Sequence, residues 1–204
     1  MKDEFALNPA VTFLNHGSFG ATPRQVLDVQ SNLRLELEAN PVEFLARQLP
    51  GRLESVRREL ASYLGVPDVD GLVLVPNVTT GLNAVARSLP LDPGDEIVLT
   101  DHEYGAMRML WDEVAGARNA TLKTIEIPFP YTDPDAVVQR FRAAITDRTK
   151  AFFFSHITSL SALVLPAELL CQLAREHGVI SIVDGAHAPG QLPLDIGTID
   201  RRVP

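Results

Sequence analysis

Five short apolar runs, at residues 71–75, 96–100, 121–127, 151–155 and 179–183, alternate with longer stretches whose apolar residues recur at helical spacing. Runs this short and this apolar suit strands buried on both faces, and strand–helix–strand alternation builds parallel sheets. The pattern predicts an α/β fold: a mostly parallel sheet flanked by helices. Local chemistry marks the joints. Thr22-Pro23 reads as an N-cap followed by proline at the first helical position, opening a helix that Pro41 stops after Asn40. Leu53, Val56, Leu60 and Tyr63 mark a second helix ended by Gly65, and Leu82, Val85, Ala86 and Leu89 a third. A further helix surrounds Trp111. Asp133-Pro134 caps one carrying Val137, Val138, Phe141 and Ile145, and Gly178 ends one over 166–177.

Composition narrows the partners. A formal charge of −8 argues against a nucleic-acid or anionic-membrane surface, since either partner would select for a basic face. No apolar run reaches membrane-spanning length and Met1-Lys2-Asp3-Glu4 is too polar to open a signal peptide, so a soluble, cytoplasmic protein is expected. Cys171 is the single cysteine, which excludes a disulfide framework and reads as a buried thiol. The five histidines show no paired metal-ligand spacing, and no metal site is expected.

In open α/β sheets ligands bind at the carboxyl ends of the strands, which directs attention to the loops after Val75, Thr100, Ser155 and Val183. Asn77-Val78-Thr79-Thr80-Gly81 stands where a helix N-terminus binds an anion, or where a threonine simply caps the helix. Asp184 ends an apolar strand, where a carboxylate needs a cation or donors; a protonated heterocyclic nitrogen would serve, and so would the N–H groups of the next turn. Tyr104 offers a ring for stacking or for core packing. His156 has the setting of a hydrogen-bonded structural histidine. The Asn77–Gly81 loop lacks the glycines of a dinucleotide-binding turn, which argues against a nucleotide-binding Rossmann domain.

Read together, five motifs resemble the class V aminotransferase-fold enzymes that use pyridoxal 5′-phosphate (PLP), in the isopenicillin N epimerase-like branch. They are Leu14-Asn15-His16-Gly17-Ser18-Phe19-Gly20, Asn40-Pro41-Val42-Glu43-Phe44-Leu45, Asn77-Val78-Thr79-Thr80-Gly81, Asp101-His102-Glu103-Tyr104-Gly105-Ala106 and Asp184-Gly185-Ala186-His187-Ala188-Pro189-Gly190-Gln191. The resemblance implies a fold type I large domain over 46–204, preceded by a segment and helix over 1–45 that border the active site. It places Thr79 and Thr80 on the cofactor phosphate, Tyr104 against the pyridine face, Asp184 on the pyridine nitrogen, and His187 on the phenolic oxygen with His156 close by. Asn15, His16 and Gly17 would border an amino-acid substrate. Arg47 is a candidate carboxylate clamp, though a solvated helix residue reads better. A homodimer is implied as well.

Two departures from the family pattern stand out. Ser159-Leu160-Ser161-Ala162 replaces the Ser-Pro-Thr-Gly usual in relatives, which changes the loop near the cofactor. The lysine that holds PLP covalently is expected at about position 210, beyond Pro204, together with a small C-terminal domain. Asp200-Arg201-Arg202-Val203-Pro204 also leaves the family pattern, and Lys2, Lys123 and Lys150, the three lysines present, have no route to the cofactor. The expected function is therefore that of a PLP enzyme of amino-acid metabolism, epimerase-like or of the cysteine desulfurase and C–S lyase type, inactive as these 204 residues stand. A non-catalytic remnant with an exposed sheet edge is the alternative.

Overall fold

In the computed structural model, which describes residues 2–131 and 133–199, the chain divides into two compact units, Met1–Leu60 and Ala61–Pro204. Residues 200–204, where the family pattern breaks off, lie outside the described residues.

In the first unit, α1 (Arg24–Ala39) starts one residue later than expected, with Pro23 at the N-cap position and Asn40 at the C-cap. None of its residues is buried. A π-helical turn, Glu43–Gln48, leads into α2 (Leu49–Leu64). The stripe of Leu53, Val56 and Tyr63 keeps the expected helical period, yet all three side chains stay exposed. Gly65, which like the last turn of α2 belongs to the second unit, ends the helix at φ +65°, and a Cβ there would sit 2.7 Å from Asp195 Oδ1 of the same unit. Only glycine satisfies both the left-handed backbone and that approach.

The second unit contains α3 (Val78–Ser88), β1 (Glu96–Thr100), α4 (Gly105–Arg118), β2 (Thr121–Ile125), α5 (Pro134–Ala144), β3 (Thr149–Ser155), α6 (Ala167–Glu176), β4 (Ile180–Asp184) and the short α7 (Ile196–Ile199). The four strands form one parallel sheet in the order β2-β1-β3-β4. Side-chain alternation divides the core into two layers. Ile97, Leu99 and Phe153 pack with Leu82, Met107 and Trp111 from α3 and α4. Val98, Phe152 and Phe154 pack with Val137, Phe141 and Leu170 from α5 and α6. Helices on both faces explain why Phe152, Phe153 and Phe154 are all fully buried, each contributing about 1.5–3 kcal/mol through removal from water. Cys171 is buried in the α5–α6 layer, an inert packing position.

Asp133 caps α5 by accepting from the Asp135 N–H, and Gly178 follows α6 at φ +67°, both as the turn chemistry predicts. The first apolar run is different. Residues Val69–Gly71 form a 3-10 turn, and Val73, Leu74 and Val75 remain exposed without pairing to any described strand. Apolar, β-branched composition suits a strand only where a neighbour supplies the ladder and the buried face. Among the described residues neither is supplied, and these residues form four strands where five were expected.

The connections place the site. From β1 the chain passes through α4 to β2 on one side, then through α5 past β1 to β3, and through α6 to β4 on the other side. The direction of winding reverses between β1 and β3, and the carboxyl ends of those strands flank the crevice where α/β sheets bind ligands.

Candidate functional site

Glu103 joins the two strands at that crevice. It is buried, one Oε accepting the Thr100 hydroxyl at 2.5 Å and the other accepting the Ser155 N–H at 3.0 Å and the Ser155 hydroxyl at 2.7 Å. All of these partners donate, which suits a carboxylate. Burial nonetheless pushes its pKa above the usual carboxylate value, and the bonds from Thr100 and Ser155 pull it part of the way back. Sequence reasoning assigned Glu103 and Ser155 no role, because the bond spans 52 residues. A glutamate immediately after a buried strand was the available signal.

Three of the expected site residues sit on adjacent strand ends. Tyr104 follows Glu103 and occupies the N-cap position of α4, its ring half exposed. Asp184 is in register with Ser155 and is 6% exposed. Its Oδ1 accepts the Ala186 N–H at 3.0 Å, so the turn-capping role is real, and its backbone carbonyl accepts the His156 N–H. His156 is half-buried, which holds its pKa below the ordinary histidine value. Its ring lines a cavity of about 510 Å³ with Pro134, Leu165, Pro166, Glu168 and Asp195. His187 is half-buried just beyond β4.

At α3, Asn77 is the cap. Its Oδ1 accepts both the N–H of Thr80, at 2.8 Å, and the Thr80 hydroxyl, at 3.0 Å. Thr80 is therefore already engaged, whereas the first-turn N–H groups of Val78 and Thr79 face an exposed helix start. Neither threonine hydrogen-bonds to the strand ends; α3 reaches them through its packing on α4. Asn15, His16 and Gly17 belong to the first unit. There His16 packs edge-on to Phe13, tilts against Phe5 and accepts the Ala21 N–H through Nδ1. Arg47 pairs with Glu43 at 3.0 Å on an exposed surface, the solvated arrangement expected of it.

The loop after β3 keeps a glycine-like turn without the glycine. Ala162 adopts φ +51°. A left-handed alanine costs about 1–2 kcal/mol, and glycine returns part of that as chain entropy in the unfolded state. Ala162→Gly is expected to stabilise the protein by about 0.5–1 kcal/mol, read as a rise of roughly 1–4 °C in Tm. A lowered Tm would contradict the strain.

The aminotransferase class-V family model matches residues 13–201. Isopenicillin N epimerase of Amycolatopsis lactamdurans is 43% identical over 97% of this chain and 50% of its own. Among solved structures, a lysine-to-alanine mutant of C-DES with glycine covalently linked to the PLP cofactor superposes with a TM-score of 0.88 at 25% identity, over 98% of this chain and 53% of that one. The complex of the cystine C–S lyase C-DES with its product cysteine persulfide gives 0.84 at 26% identity, over 93% and 51%. The chain thus spans about half the length of the relatives it matches. With the motifs in order along nearly all of it, this chain belongs to the aminotransferase class-V family.

Proposed function

We propose that this chain holds PLP at the carboxyl ends of its strands, within an enzyme that acts at the α-carbon of an amino acid as an epimerase of the isopenicillin N type. Asp184 carries the reading. It is a carboxylate almost removed from water at a strand mouth, and no ion pair among the described residues reaches it. The donor set fits the cofactor: free first-turn N–H groups for a phosphate, a buried acid for a protonated ring nitrogen, and an accessible ring for a flat heterocycle.

When bound, PLP supplies an electron sink for a substrate α-carbon. The chain's own residues make that sink effective. Asp184 keeps the ring nitrogen protonated through a charge-assisted hydrogen bond, strengthened by its burial. The Val78 and Thr79 N–H groups and the Thr79 hydroxyl hold the phosphate, while Asn77 and Thr80 lock the turn that presents them. Tyr104 covers one ring face, and His187 donates to the phenolic oxygen. Lys123 bonds the Ala144 carbonyl at 2.9 Å and approaches Glu96, at the amino end of the sheet, and Lys150 lies near the start of β3. Neither reaches the strand tips.

Titration of the purified chain with PLP, followed by the induced circular dichroism of the cofactor, is expected to show saturable binding. Asp184→Ala should weaken it roughly tenfold or more. Borohydride treatment should leave no pyridoxyl-lysine by mass spectrometry. Equal affinity in the variant would remove Asp184 from the site. A C–S lyase is the second reading, favoured by the superposition on the cystine C–S lyase; sulfide release, as opposed to α-carbon inversion, separates the two in the whole enzyme.

A further inference from the structure

His102 stands two residues before Tyr104, and its imidazole touches two segments that the sheet order alone brings together. Nε2 lies 2.9 Å from the Ile127 carbonyl, just past β2, and Nδ1 lies 2.8 Å from the Ser161 hydroxyl, in the loop after β3. The Ser161 oxygen is in turn 2.7 Å from the Thr158 hydroxyl, which accepts the Leu163 N–H at 2.8 Å.

The polarity of this chain is determined by its ends. A carbonyl only accepts, so Nε2 carries the proton and Nδ1 of the neutral ring accepts from Ser161. Ser161 must then receive the Thr158 hydroxyl, and Thr158 receives the backbone N–H. Every donor finds one acceptor. The bonds close around the strained segment, because the Ala162 N–H bonds the Thr158 carbonyl and the Thr158 N–H bonds the Leu163 carbonyl. Thr158 is fully buried, so a hydroxyl turned away from its partner has no water to replace it.

We infer that His102 is a positioning residue, a latch that holds the Thr158–Leu163 loop, with its left-handed Ala162, at the carboxyl end of β3. This is where the sequence departs from Ser-Pro-Thr-Gly: a hydrogen-bonded relay does the work that proline rigidity and glycine freedom would otherwise share. A second proton on the ring makes Nδ1 a donor and reverses the relay, turning the Ser161 hydroxyl toward Thr158 and the buried Thr158 hydrogen away from it. Asp101, 3.8 Å from Nε2, is the carboxylate nearest the ring. Glu103 lies next along the loop from β1, Glu126 and Tyr131 flank Ile127 on the β2 side, and His156 lies on the β3 side. A doubly protonated His102 ring is therefore incompatible with the relay as it stands.

The importance of the latch for cofactor binding rests on the proposed PLP site; its existence does not. In the full chain, ¹⁵N spectra of the histidines should show neutral His102 as the Nε2–H tautomer. The Nδ1–H tautomer would overturn the inference even if every variant failed to fold. Amide exchange, corrected for intrinsic rates, should show the Leu163 N–H protected in the wild type and roughly tenfold less protected in Ser161→Ala. Wild-type protection in this variant would overturn the latch. Where the wild-type chain binds PLP, unchanged PLP affinity in Ser161→Ala would overturn the positioning role. Absence of PLP binding in the wild type would overturn the site reading and leave the exchange test decisive for the latch.

Discussion

Replacing Phe153 by alanine is expected to remove about 3–5 kcal/mol of folding free energy, a large share of the 5–15 kcal/mol that holds a typical domain together. The ring is fully buried at the centre of the sheet, 5.2 Å from Trp111 and within the layer that binds α3 and α4 to β1 and β3. The Trp111 indole N–H has no hydrogen-bond partner among the described residues, so packing holds the contact. Interiors are close-packed, and the void left by a phenyl ring is only partly closed by relaxation. A Tm lower by roughly 6–20 °C should follow, with Phe153→Leu losing much less. A loss below about 1 kcal/mol for the alanine variant would show that this layer is not the core.

The second large effect lies at Glu103. Glu103→Leu leaves the Ser155 N–H and the hydroxyls of Ser155 and Thr100 without their acceptor in a buried crevice, and should cost about 2–5 kcal/mol. Glu103→Gln keeps an acceptor and avoids a buried charge, so its loss at neutral pH should stay below about 1 kcal/mol. The pH dependence distinguishes charge from shape. Burial raises the folded-state pKa of Glu103, so the folded protein holds that proton more tightly than the unfolded chain. Its contribution to stability is complete below the unfolded carboxylate value and is lost as pH rises through the folded one. Chemical denaturation across that window should show this decline in the wild type and its absence in Glu103→Gln. An identical slope in both would mean that Glu103 titrates normally.

The parts of the molecule legible from sequence are those set by neighbours along the chain. β1 was predicted at its observed limits because an apolar run followed a Pro93-Gly94 turn, and α5 because Asp133 and Pro134 satisfy a helix start within one turn. Asp184 at the mouth of β4 was legible for the same reason. The run at residues 71–75 failed because composition states only that a segment suits a strand, while pairing requires a partner elsewhere. The helical stripe of α2 kept its period but not its burial, since period says which residues share a face and nothing about what covers it.

Short-range rules of the sequence alone determined the alternation of helices and strands, the two-sided burial of β3 and the placing of polar residues at strand ends. The tertiary structure alone decided that β3 lies beside β1, and hence that Glu103 meets Ser155 and that His102 meets Ser161, 59 positions further along the chain. Such contacts depend on the order of strands in the sheet, a choice made by the packing of whole layers, and no local pattern of residues encodes it.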